Sequence, residues 1–407
     1  MLAVFLAPFY LLFNFYIFRW LLRWMSSCTR YFQKPLLRGV VLFLYAFLAL
    51  SILLAFLWPA RWLYALSNLW FGSCCYILLI VAAADLIRLV LKYLVKVPKE
   101  KLSSRKVFVT SGAFCILLIL SLSVLGYIGA RNIRTTHYEV TVDKSCQDLS
   151  SLRIVLAADL HLGYNMGNDQ MKRMVEKINA ADPDLVVIAG DFFDNDFDAV
   201  EDPETISATL RQIRSRYGTY ACYGNHDIQE KILAGFTFPS DEKKESDPRM
   251  DAFLADSNIQ LMQDETLLID DAFYLIGRAD RERPGRGIQK RMTPQQLTEG
   301  LDQTKPILVL DHEPDELSEL AAAGADLDLS GHTHDGQLFP ANLIVSMVWE
   351  NSCGYLEKDG MHSIVTSGVG VFGPNMRVGT KSEICVIDCQ FLTGESYIHG
   401  SRCQRTL

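Results

Sequence analysis

The stretch Leu152–Gly163, LRIVLAADLHLG, predicts the fold of most of this chain. It begins with a run of aliphatic residues, which is typical of a buried β-strand, and it ends in a turn that carries Asp159 and His161. These two residues are two positions apart, so in extended chain their side chains point to the same side. A carboxylate and an imidazole that follow a strand in this way predict an α/β domain with a ligand site at its strand ends.

The same alternation of short aliphatic runs and polar helical stretches continues toward the C-terminus. It predicts further strands at Leu185–Ala189, Thr219–Tyr223, Phe273–Gly277, Ile307–Leu310, Asp326–Leu329, His362–Thr366 and Ile384–Asp388. It also predicts helices at Asp169–Ala181, Pro203–Tyr217, Asp251–Asn258 and Glu316–Ala323. We therefore expect one large α/β domain over residues 151–407, preceded by a connector, 131–150, that contains an edge strand.

Four more of the predicted strands are followed by polar turns, so the pattern of Asp159 and His161 repeats. The turns are AGDFFD at 189–194, GNHD at 224–227, DHEP at 311–314 and GHTHDGQ at 331–337. A mixture of imidazole and carboxylate ligands suits Zn, Fe or Mn better than Ca or a lone Mg. Seven residues are candidate ligands, more than one tetrahedral ion uses: Asp159, His161, Asp191, Asn225, His312, His332 and His334.

The turn with Asp159 and His161 and the four turns that follow it along the chain form five sequence blocks. In this order they resemble the signature of the calcineurin-like metallophosphoesterase family. The resemblance extends over residues 150–390 and implies a four-layer α-β-β-α sandwich. The apolar spans before the domain resemble the membrane-anchored branch of the family. Asp335 departs from the pattern, because many relatives have GHTHGGQ at this block, and this carboxylate either alters substrate preference or only shapes the turn.

The resemblance implies a role for each of these residues. Asp159, His161, Asp191 and His334 would hold one divalent ion, and Asp191, Asn225, His312 and His332 would hold a second. A metal-bound hydroxide would then attack the phosphorus of a phosphodiester, phosphomonoester or pyrophosphate in line. His226 would protonate the leaving oxygen or stabilise the transition state, and Asp227 would either orient His226 or form the turn. Asp194 is expected to cap the following loop.

The N-terminal third differs sharply from the rest in charge and hydropathy. Residues 1–130 carry 13 Lys and Arg against 2 Asp and Glu, whereas the remaining chain carries 26 against 45, which gives the overall charge of −8. Four apolar runs in residues 1–130 are close to the ~20 residues that a helix needs to cross a bilayer. These predicted spans are about 2–18, 40–57, 69–91 and 107–128. The first lacks the basic start of a signal peptide, so we expect an anchor.

Basic residues in the loops predict the orientation of these spans. The loop between the first and second spans carries five Lys and Arg, and that between the second and third carries only Arg61. The loop between the third and fourth spans, together with Arg88 at the end of the third, carries seven. By the positive-inside rule the two basic loops are cytoplasmic, so we expect an extracytoplasmic domain at the cell membrane. Asp85 and Arg88, one helical turn apart, are either an intramembrane ion site or a pair near the cytoplasmic end of the span.

Charge also limits the partners. The excess of acidic residues after position 130 would repel a polyanion, so a nucleic acid is an unlikely substrate, and a lipid-linked or envelope phosphoester fits the membrane anchor better. The basic cluster at 278–291 either guides an anionic substrate or forms a solvated loop. A metal-binding scaffold or sensor without activity is the alternative function. Cysteine spacing indicates neither a zinc finger nor a CxxC motif and leaves disulfides open.

Overall fold

The computed structural model describes residues 2–147, 149–230, 232–233, 236–237 and 245–392. It divides into two compact units. The first, here called the helical unit, holds the N-terminal helices together with two short strands, Ile232–Leu233 and Phe236–Thr237, and the segment Phe372–Val378. The second, the sheet unit, begins at Ala130 and holds the other described residues. The predicted domain end at residue 407 lies outside the described residues.

Four long helices form most of the helical unit, and each is long and apolar enough to cross a membrane. They extend beyond the predicted spans because the helices continue into the flanking polar and basic residues. A four-residue helix, α4, precedes the last of them. The helices are α1 (Leu2–Cys28), α2 (Pro35–Leu57), α3 (Arg61–Tyr93), α4 (Lys99–Leu102) and α5 (Arg105–Gly129).

Hydrogen bonds between polar side chains join the helices of this unit. Tyr10 of α1 donates to the carbonyl of Ala49 at 2.7 Å and accepts from Trp70 Nε1 at 2.9 Å, so it connects three helices. The Asp85 carboxylate of α3 accepts a hydrogen bond from the Tyr16 hydroxyl of α1 at 3.0 Å. These contacts satisfy groups that would otherwise be costly inside an apolar bundle.

Two six-stranded mixed sheets form the centre of the sheet unit. The strands are β1 (Ile133–Val142), β2 (Ser151–Ala157), β3 (Leu185–Ala189), β4 (Thr219–Cys222), β5 (Ile232–Leu233, in the helical unit), β6 (Phe236–Thr237, likewise), β7 (Gln260–Leu261), β8 (Glu265–Ile269), β9 (Phe273–Gly277), β10 (Ile307–Leu310), β11 (Leu327–Ser330), β12 (Gly354–Lys358), β13 (Met361–Val365) and β14 (Ser382–Phe391). One sheet has the order β1-β14-β2-β3-β4-β7 and the other β12-β13-β11-β10-β9-β8.

Helices cover the outer face of each sheet. They are α6 (Asn168–Ala180), α7 (Pro203–Leu210), α8 (Pro248–Asp256), α9 (Pro294–Thr298) and α10 (Leu317–Ala322), whereas a further helix, α11 (Ala341–Val348), contains no buried residue. Side chains of α6, α7 and α8 pack on the first sheet, and those of α9 and α10 pack on the second. A third apolar cluster fills the space between the sheets, where residues such as Leu156 and Leu310 are fully buried. The four-layer α-β-β-α sandwich that the resemblance implied is therefore confirmed.

Some elements differ from those expected. The connector contains β1, a ten-residue edge strand that pairs in parallel with β14 over its whole length. Helix α7 ends at Leu210 rather than Tyr217, because the chain turns after Arg211 to enter β4. The strands β8 and β12 and the helices α9 and α11 were not predicted. The two strands lie at sheet edges, where the apolar pattern is weak.

Candidate metal centre

The five polar turns meet at the carboxyl ends of the central strands, as the sequence predicted. Five of the seven candidate ligands have left-handed backbone conformations: Asp159 (φ 54°), His161 (φ 46°), Asp191 (φ 52°), His332 (φ 69°) and His334 (φ 52°). Non-glycine residues rarely adopt this conformation, and each instance costs on the order of 1–3 kcal/mol. The surrounding fold thus holds these turns in strained shapes that aim the side chains inward.

One group of ligands contains Asp159, His161 and His334, all of them buried. The Nε2 atoms of His161 and His334 are 3.0 Å apart, and His334 Nε2 is 4.0 Å from Asp159 Oδ1. The Asp159 carboxylate also accepts the backbone amide of His332 at 3.1 Å, which fixes its orientation. A carboxylate oxygen and two imidazole nitrogens therefore converge within the size of one metal site.

The second group contains Asp191, His312 and His332. His312 Nε2 is 3.1 Å from His332 Nδ1 and 3.1 Å from the amide oxygen of Asn225. His312 Nδ1 hydrogen-bonds the carbonyl of Ala189 at 2.8 Å, so Nδ1 carries the proton and the lone pair of Nε2 faces the other ligands. This arrangement is typical of a histidine that binds metal.

Asp191 lies between the two groups. Its Oδ2 atom is 3.7 Å from His161 Nε2 and 3.3 Å from His312 Nε2, and its Oδ1 accepts the His226 amide at 2.8 Å. Neutral imidazoles whose nitrogen lone pairs face each other at 3.0–3.1 Å repel unless a cation or a proton lies between them. The donor set of imidazoles, carboxylates and one amide oxygen therefore fits divalent metal ions.

The charges of the buried ligands control one another's protonation. Burial and the charge of His312 lower the pKa of His332 to about 3, so its ring is neutral at neutral pH. Burial tends to raise the pKa of Asp191, but the charges of His312 and His226 outweigh it and hold that pKa well below its usual value. Burial tends to lower the pKa of His312, but the Asp191 carboxylate outweighs it and holds that pKa well above its usual value, so a metal ion bound here would displace a proton from the ring.

His226 lies beside the ligands, and its ring is 5.3 Å from the His161 ring between centroids. Its Nδ1 atom is hydrogen-bonded to the side-chain oxygen of Asn195, a residue that the sequence analysis did not identify. Both oxygens of Asp227 accept backbone amides instead, from Phe193 at 2.9 Å and from Gly224 at 2.8 Å. This geometry favours the turn-forming role for Asp227 and assigns the orientation of His226 to Asn195.

Asp194 is also at the edge of the centre, with Oδ1 3.8 Å from His161 Nδ1. Burial and the neighbouring charges of Asp191 and Asp196 raise its pKa to about 7. The sequence gives only a weak signal for the next residue, Asn195, because an Asn in such a position is common in turns.

Three arginines of the basic cluster, Arg278, Arg283 and Arg291, are held by other residues of the sheet unit, whereas Arg281 and Lys290 are exposed. Arg278 is fully buried, with Nη1 2.8 Å from Asp311 and Nη2 2.6 Å from Glu316, and Arg291 contacts the same two carboxylates at 3.2 and 2.7 Å. Arg283 donates to the backbone carbonyl of Asn225 at 2.7 Å. These arginines support the turns that carry the ligands, and sequence alone did not reveal their partners.

A loop after β13 also closes on the centre. Gly370 donates its amide to the Asp159 carbonyl at 2.7 Å, and Val369 donates to the Ala158 carbonyl at 2.9 Å. Gly368 has a φ of +80°, and a Cβ atom there would lie 2.6 Å from Asp159 Oδ2. Only glycine fits between this loop and the carboxylate.

Comparisons with known proteins agree with this geometry. Residues 152–336 match the family model of the calcineurin-like phosphoesterases. A zebrafish (Danio rerio) transmembrane protein with metallophosphoesterase domain is 30% identical over 68% of this chain and 63% of its own length. An uncharacterised metallophosphoesterase of Campylobacter jejuni is 27% identical over 88% of this chain and 94% of its own.

A UDP-2,3-diacylglucosamine pyrophosphatase of Chlamydia trachomatis is 27% identical over 54% of this chain and 76% of its own length. The match to the zebrafish protein spans less than two thirds of that relative. The domain at 152–336 is therefore similar to the calcineurin-like phosphoesterases, and the four long helices before it are long and apolar enough to cross a membrane.

Proposed function

We propose that this protein is a membrane-anchored phosphoesterase with two divalent ions in its active site. The observation that carries the proposal is the position of Asp191, whose carboxylate is within 4 Å of a histidine from each ligand group. A single carboxylate between two sets of donors is the arrangement that bridges a pair of ions, and seven donors exceed the needs of one.

The ions, which we expect to be Mn, Fe or Zn, would supply a nucleophile at neutral pH and neutralise charge on the phosphoryl oxygens. Asp159, His161, Asp191 and His334 would hold one ion, and Asp191, Asn225, His312 and His332 the other. His226 would hold its Nε2 atom toward the leaving oxygen, because Asn195 accepts from its Nδ1. Its role is to donate a proton or a hydrogen bond to that oxygen.

The substrate class that fits best is a lipid-linked phosphodiester or pyrophosphate. Two facts support it: the four long apolar helices, which hold the protein in a bilayer, and the relative named as a UDP-2,3-diacylglucosamine pyrophosphatase. A phosphomonoester is the other outcome to test. The acidic surface of the chain after residue 130 disfavours nucleic acid.

We further propose that the catalytic domain, residues 151–407 with the connector 131–150, lies outside the cytoplasm at the cell membrane, anchored by the region 1–130. The seven Lys and Arg between Arg88 and Lys106, in and beside the loop between the last two spans, support this orientation. Alkaline phosphatase and a green fluorescent protein, each fused after Leu407, test it. Active phosphatase with a dark fluorescent protein is the expected result, and the opposite pair of results would overturn it.

Activity is tested with the purified full-length protein in detergent, supplied with Mn and a chromogenic phosphodiester. We expect hydrolysis by the wild type and a loss of about 100-fold or more in Asp191→Asn, because that change weakens both ion sites at once. Asp198→Asn is the matched control, since Asp198 is an exposed aspartate seven residues further along the chain.

Metal content and product analysis complete the experiment. Elemental analysis should find two ions per wild-type chain, and fewer in Asp191→Asn. Metal bound without hydrolysis of a diester, a monoester or a pyrophosphate would identify the protein as a non-catalytic metal-binding scaffold or sensor instead. Equal activity in the wild type and in Asp191→Asn would also reject the proposed centre.

A further inference from the structure

Helix α11 exposes its apolar side chains to the surroundings instead of burying them. In the described part of the sheet unit, eight large apolar side chains are exposed. Five of these eight lie on α11 or two residues before it. Met347 is 78% exposed and Val348 is 71% exposed. The five are Phe339, Leu343, Ile344, Met347 and Val348.

These five residues form one continuous strip. Positions 339, 343 and 347 are spaced four apart, as are 344 and 348, so the last four lie on one face of the helix. No charged or histidine side chain occurs between Asp335 and Glu350, a run of 14 residues in an acidic part of the chain. An apolar strip without charge on a surface marks a binding site for an apolar partner.

The strip is attached rigidly to the candidate metal centre at both ends. Before it, the turn with His334 contacts the start of α11, since a Cβ on Gly336 would lie 2.5 Å from the amide nitrogen of Asn342. After it, the ring of Trp349 packs edge-to-face on the ring of His332, with centroids 5.3 Å apart. Whatever the strip binds is therefore held at the entrance of the centre.

The chain itself indicates which apolar partner this is. Helix α5, the fourth candidate span, ends at Gly129, and β1 begins at Ile133, so three residues, or about 10 Å of chain, connect the membrane helix to the sheet unit. The chain leaves the helical unit again at Val378, and Thr380, two residues later, donates to the Gln337 carbonyl at 3.0 Å, directly before the strip. Such short connections keep a bilayer surface at high effective concentration.

We propose that α11 and Phe339 insert into the lipid bilayer that carries the chain, and so hold the metal centre at the membrane surface, where it acts on lipid phosphoesters. The helix is too short to cross a membrane, and its apolar face suits the boundary between headgroups and acyl chains. This inference deepens the proposed function, and its statement about lipid substrates rests on that function. The insertion of α11 into the bilayer does not depend on whether the protein is active.

Photo-crosslinking in native membranes tests the insertion. In the test variant the full-length chain carries p-benzoylphenylalanine in place of Met347. In the matched control the same amino acid replaces Leu268, which lies in the same unit and is 44% exposed. After irradiation we expect phospholipid adducts at position 347 and none at 268. Adducts to a second copy or to another protein at 347, or equal lipid adducts at both positions, would overturn the proposal.

Activity separates this inference from the proposed function. Met347→Glu combined with Val348→Glu should lower hydrolysis of a phospholipid embedded in vesicles by about tenfold or more, because inserting two carboxylates into lipid is unfavourable. Hydrolysis of the soluble chromogenic diester should be unchanged, as should both activities in Leu268→Glu. Equal rates on vesicles in the double variant and the wild type contradict the insertion. If the wild type hydrolyses neither substrate, the proposed function fails and the crosslink alone decides the insertion.

Discussion

The His226 ring is hydrogen-bonded through Nδ1 to the side-chain oxygen of Asn195. An amide oxygen only accepts, so Nδ1 carries the hydrogen and Nε2 is the nitrogen that can serve a substrate. Asn195 is itself held by the backbone, because its amide donates to the His226 carbonyl at 3.2 Å and its carbonyl accepts from Glu230 at 2.8 Å. The two residues therefore form a fixed pair beside the ligands.

This pair predicts the effect of changes at Asn195. Asn195→Ala should lower kcat by about tenfold, with little change in KM or metal content, because His226 loses its orientation but the ligands do not move. Asn195→Asp should restore part of the rate, and its carboxylate should shift the His226-dependent limb of the pH–rate profile upward. A normal kcat in Asn195→Ala would show that His226 needs no support from this residue.

Gly368 should be needed for metal binding. In Gly368→Ala the new methyl group would meet Asp159 Oδ2 at 2.6 Å, so the carboxylate must move away from the other ligands. We expect a loss of about one ion per chain by elemental analysis. Gly360→Ala is the control, since Gly360 has a similar φ of +86° but no atom within 4 Å of a Cβ, and it should keep its metal. Equal losses in both variants would point to backbone strain alone.

Arg278 should contribute strongly to stability. Its removal in Arg278→Ala leaves Asp311 and Glu316 without their fully buried partner, and losing one member of such a cluster costs about 3–5 kcal/mol. Lys358→Ala breaks the more exposed ion pair with Glu350 and should cost less than about 1 kcal/mol. Chemical denaturation in detergent measures both, and Arg278→Lys should fall between them. Similar costs for the Ala variants would contradict the structural role.

Asp328 should make the stability depend on pH. Burial, with the charge of Asp311, raises its folded-state pKa to about 7 from an ordinary value of 3.8. A carboxyl group whose pKa is raised in the folded state stabilises the fold at low pH, and this contribution is lost as pH rises from about 4 to 7.

Asp328→Asn removes this titration, so its melting temperature should exceed that of the wild type at pH 8, and the difference should shrink at pH 5. Thermal melts at both pH values in detergent make the comparison, with Asp198→Asn as an exposed control. A constant difference between variant and wild type at the two pH values would mean that Asp328 is ionised throughout.

The sequence predicted the core of the fold well because the central strands are long aliphatic runs. Leu185–Ala189, Phe273–Gly277 and Ile307–Leu310 have the same limits in the structure as in the prediction. Helix α11 was missed for a physical reason: its apolar residues face outward, and no polar face marks it as a surface helix. Strand β12 lies at the edge of its sheet, and its apolar and polar residues alternate only weakly, so the sequence pattern did not predict it either.

The candidate site was predicted from residue types that follow strands, and the structure brings all seven candidate ligands together. Spacing along the chain could not reveal Asn195, because its contact with His226 joins two different turns. Nor could it reveal that the buried Arg278 pairs with Asp311 and Glu316, since Arg278 is 33 and 38 residues away from them in sequence. Contacts of this kind depend on the packing of the sheets, which local patterns do not encode.

The left-handed backbone of the ligand turns also bears on how such a centre is lost in evolution. At positions 159, 161, 191, 332 and 334 the strain would be offset by the proposed cations, which would hold the side chains inward. A descendant that no longer needs metal gains stability from glycine or asparagine at these positions, so decay should begin there and spread along the turns.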